Sequence, residues 1–319
     1  GDFITAPEIS QMFGELLGLW FAVCWQQMGS PNSFNLIELG PGRGTLMCDA
    51  LRATTNAPLF KEALNIRMVE TSPVLGNQQR VNLSSFIGPC TWHQSVEDVP
   101  EGQFILIANE FLDTLPLHQF LYTESGWCER LISFDEENSC LQWTLSTPNA
   151  SGEIIDISLD LDGSLGMILE VSPRVQKLVE TVSMTILKSG GTALFIDYGY
   201  VEQKGGDTFQ GVKNHKYADP LAFPGSTDLT AHVDFEAIKR TAEDKGVTVT
   251  GPITQGKFLC GLGIKQRAEQ LAANASLQQK RDIFQSLGRL IDDDKMGELF
   301  KVLALSHPDN PIPEGFADG

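Results

Sequence analysis

The sequence has little positive charge, and it lacks the cysteine spacing of common metal and redox sites. Its 319 residues carry 23 Lys and Arg against 41 Asp and Glu, a formal net charge of −18. This balance argues against DNA or RNA as a partner, because polyanions are bound by clustered Lys and Arg, and it suits a basic substrate. None of the six cysteines forms a C-x-x-C pair, so neither a zinc ribbon nor a redox dithiol is indicated, and we expect reduced thiols.

Long apolar runs are also missing. The longest, residues 16–25, has about half the length that a membrane span needs, so we predict no membrane span. No signal peptide and no internal repeat is visible. The chain begins with Gly1 instead of Met, and we therefore expect that its natural start, with any targeting segment, lies upstream of this sequence.

The sequence does have enough apolar residues for a large core, arranged as alternating strands and helices. It is 42% hydrophobic, with 18 Phe and 5 Trp. Strand and helix patterns follow one another along the chain, and the strands are continuously apolar, which is typical of an α/β fold with a parallel sheet covered on both faces. In such doubly wound sheets, ligands bind beyond the carboxyl ends of the strands. We predict helices at 8–28, 45–54, 74–83 and 173–188, and strands at 36–39, 66–70, 91–93, 104–110 and 191–199.

Other regions depart from this alternation. Residues 118–160 predict an inserted antiparallel β ribbon, and residues 200–232 form a long, Gly- and Pro-rich loop of the kind that is functional or mobile. Residues 246–264 suggest two edge strands, and 265–305 suggest helix. The predicted division of the chain is a core at 1–117 and 161–264, the β-rich insert at 118–160, and a C-terminal helical segment at 265–319.

The stretch LIELGPGRGT, residues 36–45, places three glycines after an apolar strand that ends in an acid. A Walker loop would need Lys after the last glycine, but Gly44 is followed by Thr45. A dinucleotide loop would need a glycine at position 45, so that interpretation is weak. S-adenosylmethionine carries no phosphate and requires no cation; glycines let the backbone approach it, and Glu38 can meet its ammonium group.

A second acid strengthens this interpretation, although an ordinary tight turn with a surface glutamate is the alternative. Glu70 ends the next predicted strand, and a carboxylate has two oxygens that can accept both hydroxyls of a ribose. Residues after the third strand are expected to contact adenine. The predicted cofactor-binding residues are Glu38, Gly40, Pro41, Gly42, Gly44, Thr45, Glu70, Thr71, Ser72, Gln94, Ser95, Val96 and Asn109.

Several long segments resemble the MidA-like (DUF185) methyltransferase family. The resemblance implies a class I methyltransferase core, Rossmann-like and doubly wound, with S-adenosylmethionine as methyl donor. Mitochondrial members of the family are protein arginine methyltransferases needed for assembly of respiratory complex I, which implies a protein substrate such as a complex I subunit for that branch. The segments that carry the resemblance are 1–18, 38–52, 69–79, 108–120, 170–174, 195–200 and 206–235.

The family resemblance also bears on location and assembly. A bacterial member would act in the cytoplasm and a eukaryotic member in the mitochondrial matrix. A homodimer is a further prediction.

The segment ANEFLDTLP, residues 108–116, follows an apolar strand and offers two carboxylates for an arginine acceptor. A guanidinium is cationic at all physiological pH values, and carboxylates can grip its N–H groups and offset developing charge. The i, i+3 spacing of Glu110 and Asp113 places both on one side if a helical turn begins there. We predict them as the catalytic pair; the alternative is that Asp113 caps a helix and Glu110 touches only the cofactor.

Two further groups of residues are predicted to enclose the substrate. The opening segment GDFITAPEIS reads either as a plain helix start or as a lid over the cofactor, and we favour the lid. Asp197 and Tyr198 end another strand and are expected to line the acceptor channel, while the histidines of the long loop are expected to clamp the substrate. No metal is predicted, because methyl transfer requires none. The lid and substrate residues are Asp2, Thr5, Pro7, Glu8, Asp197, Tyr198, His215 and His232.

Two other functions remain open at this point. The fold could serve as a non-catalytic assembly factor, with the ribbon at 118–160 and the apolar helix at 8–28 as partner surfaces. It could also methylate a small molecule, in which case we expect a narrow, enclosed acceptor pocket instead of an open acidic groove.

Overall fold

The central feature of this computed structural model, which describes residues 5–148, 164–202, 205–213 and 216–316, is one large mixed sheet. Fifteen strands lie in the described part of the chain: β1 Phe34–Leu39, β2 Leu64–Val69, β3 Cys90–His93, β4 Phe104–Asn109, β5 His118–Thr123, β6 Gly126–Asp135, β7 Cys140–Leu145, β8 Ile168–Val171, β9 Gly191–Tyr200, β10 Gln210–Lys213, β11 Lys216–Ala218, β12 Asp228–Thr230, β13 Val233–Asp234, β14 Thr248–Thr254 and β15 Phe300–Ser306. The large sheet has the order β14-β15-β9-β4-β1-β2-β3, with β13 paired to β9.

Five neighbouring strands of this sheet, from β3 to β9, run parallel, and β15 runs antiparallel to β9. From β1 the chain first builds outward through β2 and β3 and then returns to place β4 on the other side. The strand order therefore reverses between β1 and β4, and such a switch point opens a crevice at the carboxyl ends of the strands. The predicted doubly wound α/β sheet is confirmed.

Helices cover both faces of the sheet. They are α1 Ala6–Ile9, α2 Gln11–Gln27, α3 Thr45–Ala53, α4 Pro58–Ala63, α5 Pro73–Asn82, α6 Pro173–Ser189, α7 Phe235–Lys245, α8 Gln255–Gly261, α9 Ile264–Ala273, α10 Leu277–Ile291 and α11 Met296–Leu299. Phe13 and Trp20 of α2 and Phe258 of α8 are buried on one face, while Val179 of α6 and Ile238 of α7 are buried on the other. Each such side chain contributes roughly 1.5–3 kcal/mol by leaving water. In the described residues no helix combines the length and apolar character needed to cross a membrane.

The predicted ribbon is present, but it belongs to a separate sheet. Strands β5, β6 and β7 are antiparallel, and β8, which lies beyond the predicted boundary, joins them in the order β7-β6-β5-β8. Residues 149–160 of the predicted insert lie outside the described residues. The region 200–232, predicted as a loop, contains a small antiparallel sheet in the order β11-β10-β12. Short strands in a Gly- and Pro-rich segment give too little periodicity to be predicted.

Three predictions of secondary structure need correction. The helix predicted at 8–28 is broken at Ser10, whose extended backbone separates α1 from α2 and whose hydroxyl accepts from the Met12 amide. The second edge strand predicted within 246–264 is helix α8, because Thr254 caps it by accepting from the Lys257 amide. Residues 300–306 of the predicted helical segment form β15, which is buried throughout. A short continuous apolar run suits a strand buried on both faces as well as a buried helix.

Candidate active site

The glycine loop lies at the switch point, between β1 and α3. Gly40, Gly42 and Gly44 have φ values of +58°, +52° and +78°, a conformation that side chains other than glycine rarely adopt. A Cβ atom added to Gly42 would meet no atom within 4 Å, whereas one added to Gly40 would lie 2.6 Å from the Phe111 ring. The Phe111 ring therefore covers Gly40, and the backbone at Gly42 borders open space in which a ligand can lie.

Glu38 is the penultimate residue of β1 and lies two residues before the first glycine of this loop. The residue is only 4% exposed, and its Oε2 atom has no hydrogen-bond partner. Burial raises the pKa of Glu38 to about 8. A buried carboxylate oxygen without a donor is costly, and a bound ammonium group would supply both the missing donor and a compensating charge.

Glu70 follows β2 and is held in place by its neighbours. Its two carboxylate oxygens accept from the Ser72 amide at 2.7 Å and from Gln79 Nε2 at 3.1 Å. Gln79 is fully buried; it also donates to the Gly42 carbonyl at 2.8 Å and accepts from the Trp92 indole at 2.8 Å. The Gln79 amide thus ties the glycine loop to the second acid, so both elements keep a fixed separation.

The remaining predicted cofactor residues lie at the same edge of the sheet. Ser72 caps α5 by accepting from the Leu75 amide, and Thr71 is exposed. After β3, the Ser95 amide and hydroxyl both donate to Asp98, while Gln94 is exposed and Val96 packs on the core. Pro41 is buried within the loop and Thr45 opens α3.

Asn109, the last residue of β4, completes the predicted cofactor set. Its Oδ1 atom is buried without a partner, and its Nδ2 lies 3.4 Å from Glu110 Oε1. Asn109 therefore contacts the first of the acids that follow β4. The roles assigned to the cofactor residues stay predictions.

Glu110 adopts a backbone conformation that is unusual for a side-chain-bearing residue. Its φ is +50°, and such angles cluster at functional sites. Its Oε1 accepts from the Ala6 amide at 2.8 Å. Burial raises the pKa of Glu110 to about 7; the Ala6 hydrogen bond opposes this shift, and the negative charge of Asp113 adds to it.

Asp113 lies in the single helical turn Leu112–Thr114 and faces two hydroxyl groups. Its Oδ2 accepts from Tyr198 and from Thr230 Oγ1, the latter at 2.7 Å, while its Oδ1 is buried without a partner. Burial raises the pKa of Asp113, and the two hydroxyl donors oppose the shift. The helical turn begins at Leu112, so Glu110 does not share the turn on which the predicted i, i+3 arrangement depended, and Glu110 has a left-handed backbone instead.

Asp197 holds the backbone of this helical turn through hydrogen bonds. It is completely buried, and its carboxylate accepts from the amides of Leu112 at 2.9 Å, Asp113 at 3.2 Å and Tyr198 at 3.0 Å. Burial, with the charges of Asp113 and Glu110, raises the pKa of Asp197 well above its ordinary range. Asp197 therefore positions the acid-bearing turn, and its predicted place in the acceptor channel stays a prediction.

Glu110, Asp113 and Asp197 form an acid cluster. Tyr198 donates to Asp113 of this cluster, and His232 packs against Tyr198. Burial and the nearby Asp113 raise the pKa of Tyr198, so its hydroxyl stays protonated and able to donate. The His232 ring packs edge-on against Tyr198 with centroids 5.6 Å apart, and its amide donates to Thr208 Oγ1 at 2.9 Å. Burial lowers the pKa of His232. His215 lies outside the described residues.

The opening segment contacts two parts of the site, the acids that follow β4 and the glycine loop. The Ala6 amide reaches Glu110, and the Glu8 carboxylate accepts from the Arg43 guanidinium of the glycine loop at 3.2 Å. Thr5 precedes α1, and Pro7 lies in its first turn. The lid over the cofactor stays a prediction, and Asp2 lies outside the described residues.

Sequence reasoning missed four contributors to the site: Arg43, Gln79, Thr230 and the Ala6 amide. A signal was available for Gln79, which ends the matched segment 69–79 and lies about two helical turns beyond Ser72 on the same side of α5. Nothing in the sequence pairs Ala6 with Glu110. Within the residues that the structure describes, no group of His, Cys, Asp and Glu is arranged to hold a metal ion.

Comparison with known proteins agrees with this geometry. Residues 16–253 match a family model described as "Putative S-adenosyl-L-methionine-dependent methyltransferase". Protein arginine methyltransferase NDUFAF7 homolog, mitochondrial, from Drosophila melanogaster is 38% identical over 332 residues, which cover 96% of this chain and 75% of the relative. Protein arginine methyltransferase NDUFAF7, mitochondrial, from Homo sapiens is 37% identical, covering 96% of this chain and 73% of the relative.

Solved structures agree with the fold. A Burkholderia thailandensis crystal structure bound to S-adenosyl-homocysteine has a TM-score of 0.85 and 27% identity, covering 100% of this chain and 82% of that one. A native crystal structure from the same organism has a TM-score of 0.87 and 28% identity, covering 100% of this chain and 85% of that one. The predicted class I methyltransferase fold is confirmed. The chain belongs to the S-adenosyl-L-methionine-dependent methyltransferase family, as its sequence segments indicated.

Proposed function

We propose that this chain methylates an arginine side chain of a protein, with S-adenosylmethionine as donor. The observation that carries the proposal is the acid cluster after β4, where Asp113 keeps one buried oxygen without a donor beside Glu110. A guanidinium offers several N–H donors and a fixed positive charge, which is what these two carboxylates lack. The names of the relatives, which are protein arginine methyltransferases, support the same acceptor.

The glycine loop fits the cofactor on two observations of this chain. Glu38 Oε2 is buried without a partner, and the space beyond the Gly42 backbone is open. We assign Glu38 to the ammonium group and Glu70 to the ribose hydroxyls, for which its oxygens keep lone pairs beyond the two donors already present. When bound, S-adenosylmethionine supplies an activated methyl group on a sulfonium.

The residues of this chain then have separate tasks at the acceptor. Asp113 and Glu110 orient the guanidinium and localise its positive charge away from the attacking nitrogen. That nitrogen loses one proton when it gains a methyl group, and Glu110 is suited to receive the proton because its pKa is about 7. Tyr198 and Thr230 hold Asp113, and Asp197 holds the backbone that carries it.

Radiolabelled methyl transfer tests the proposal. The protein, incubated with tritiated S-adenosylmethionine and a cell lysate, should label a protein band whose digest contains methylarginine by mass spectrometry. Glu110→Gln and Asp113→Asn should remove the label. Label on lysine, on a carboxylate or only in small molecules would refute an arginine acceptor, and a labelled band that persists in both variants would refute the assigned residues.

Finer statements about the partner are also proposals. We take the acceptor protein to be a subunit of respiratory complex I when the chain works in mitochondria, where its relatives are named to reside. A bacterial chain would meet its acceptor in the cytoplasm. Affinity capture from the native source tests the acceptor, and light scattering of the purified protein tests the predicted homodimer.

A further inference from the structure

A cavity of about 430 Å³ adjoins the acid cluster through Asp113. It lies between the segment that leads from Asp113 into β5, the ribbon β6–β7 and the small sheet β10–β12. We call it the ribbon cavity. Asp113 and Thr230 belong both to its lining and to the acid cluster, so the cavity borders that cluster. Its apolar lining includes Leu115, Leu117, Ile132, Trp143, Phe209 and Leu229.

The apolar walls of the ribbon cavity are unusually exposed. Ile132 is 52% exposed and Leu229 is 48% exposed, although both are large aliphatic residues in strands. Contiguous exposed apolar side chains beside a polar site mark a surface that another molecule covers. Since these walls stand open to solvent, the cavity can admit an extended polypeptide, whereas a small-molecule acceptor would require enclosure.

Two pairs of polar side chains lie on one side of the ribbon cavity. The Arg130 guanidinium pairs with Asp207 at 2.8 Å and lies 4.3 Å from the centre of the Trp143 ring. His118 Nδ1 and Glu129 Oε1 lie 2.6 Å apart. The charge of Arg130 is therefore paired, and Asp113 is the acid that the cavity shares with the acid cluster.

We propose that the ribbon cavity binds the part of the substrate protein that adjoins the methylated arginine, and that one large apolar side chain of this part packs against Ile132, Trp143 and Leu229. The inference rests on the proposed function, because it takes the arginine to lie at Asp113. A polypeptide segment with an arginine and a nearby apolar side chain matches the polarity of the acid cluster and the adjoining cavity. The net charge of −18 favours a basic segment.

Binding of synthetic peptides tests the proposal without requiring catalysis. The probes are fluorescein-labelled peptides of Gly and Ser with a central Arg, in which a single Phe is scanned from four residues before the Arg to four residues after it. Fluorescence anisotropy is measured with the full chain and S-adenosylhomocysteine. At least one Phe position should bind about tenfold or more tightly than the peptide without Phe, because an aromatic side chain leaves water.

Matched variants locate that gain. Ile132→Ser and, as a second variant, Leu229→Ser should each reduce the Phe-dependent gain in affinity to about twofold or less. Ile87→Ser is the control, since Ile87 is 96% exposed and lies outside the cavity lining, and it should keep the full gain. Far-UV circular dichroism confirms that each variant is folded.

The possible results separate the cavity from the function. If Ile132→Ser removes the Phe-dependent gain in affinity, the proposed role of the ribbon cavity is supported. This holds even if no tritium is transferred to the same peptides, a result that would overturn the proposed function. If the peptides are methylated but bind without a preference for Phe, the proposed function stands and the proposed role of the ribbon cavity is overturned. A gain that survives both variants, or a dimer that Ile132→Ser dissociates without changing peptide affinity, also overturns it.

Discussion

The cofactor half and the acceptor half of the site are held together in different ways. In the cofactor half, Glu38 and the three glycines all lie within residues 38–44, and Glu70 accepts from an amide only two residues away. In the acceptor half, Asp113 meets Tyr198 and Thr230 from 85 and 117 residues away. Each element of the first half is therefore formed largely by local sequence, with Gln79 joining the loop to Glu70, whereas the second half depends on contacts between distant parts of the chain.

The two halves also differ in their electrostatics. Glu38 is a single buried carboxyl whose pKa is raised by burial alone. The charge of Asp113 adds to the burial that raises the pKa of Glu110, and the charges of Asp113 and Glu110 add to the burial that raises the pKa of Asp197, so a bound cation would favour the ionised forms. Each half thus lacks a positive charge, and each is suited to a different cationic group of the reacting pair.

Removing a carboxylate from the acceptor half should have the largest effect. Glu110→Gln and Asp113→Asn are each expected to lower kcat/KM by about 100- to 1000-fold, because orientation and charge stabilisation in the transition state are lost. Affinity for S-adenosylhomocysteine by calorimetry should change by less than about twofold. Glu101→Gln, near the opposite end of β4 from Glu110, is the control and should be fully active.

A substitution in the glycine loop should impair cofactor binding, whereas the substitutions at Glu110 and Asp113 should leave it nearly unchanged. Gly42→Val is expected to weaken S-adenosylhomocysteine binding by about 100-fold or more, since the side chain fills the open space and strains a backbone with φ of +52°. Gly29→Val shares the positive φ and the open surroundings but lies far along the chain from the loop, so it isolates the cost of strain. Equal affinity of the two variants would contradict the placement of the cofactor.

The affinity for the cofactor should rise with pH. Glu38 holds a proton below about pH 8, and an ammonium group requires the ionised form. The affinity for S-adenosylhomocysteine should therefore increase about tenfold per pH unit from about pH 6 towards 7.5 and level off above 8. Glu38→Gln should flatten this profile; a slope that persists in the variant would assign the titration to another group.

The raised pKa of Glu38 also makes the stability of the folded protein depend on pH. Because folding raises the pKa of Glu38, its contribution to stability is fully present below the unfolded pKa of about 4.3 and is lost as the pH rises through about 8. Without ligand, the thermal midpoint should fall over that range more in the parent protein than in Glu38→Gln.

Weakening the support of Asp113 should have the smallest effect. Thr230→Val removes a hydroxyl donor, so the pKa of Asp113 should rise and the acid limb of the pH–rate profile should move to higher pH. We expect kcat to fall about 3- to 10-fold, with Thr230→Ser restoring both the rate and the profile. A lower rate with an unchanged profile would show that Thr230 acts only through packing.

The sequence predicted the cofactor half better than the acceptor half for physical reasons. A continuous apolar strand, an acid and glycines are local signals, and Ser72 with Pro73 marks the start of α5 as predicted. Burial is not a local signal, so the sequence did not show that the Asp197 carboxylate accepts from the backbone amides of Leu112 and Asp113. Strand β15 was missed because a short apolar run suits either a helix or a strand until its neighbours in the sheet are known.

A crystal structure of the chain with S-adenosylhomocysteine tests the central claim most directly. The account predicts that the ligand lies on the Gly42 backbone, with its ammonium group within hydrogen-bond distance of the Glu38 carboxylate and its ribose hydroxyls on Glu70. A ligand that lies away from the carboxyl ends of β1 and β2, or one whose ribose and ammonium group meet neither carboxylate, would contradict it.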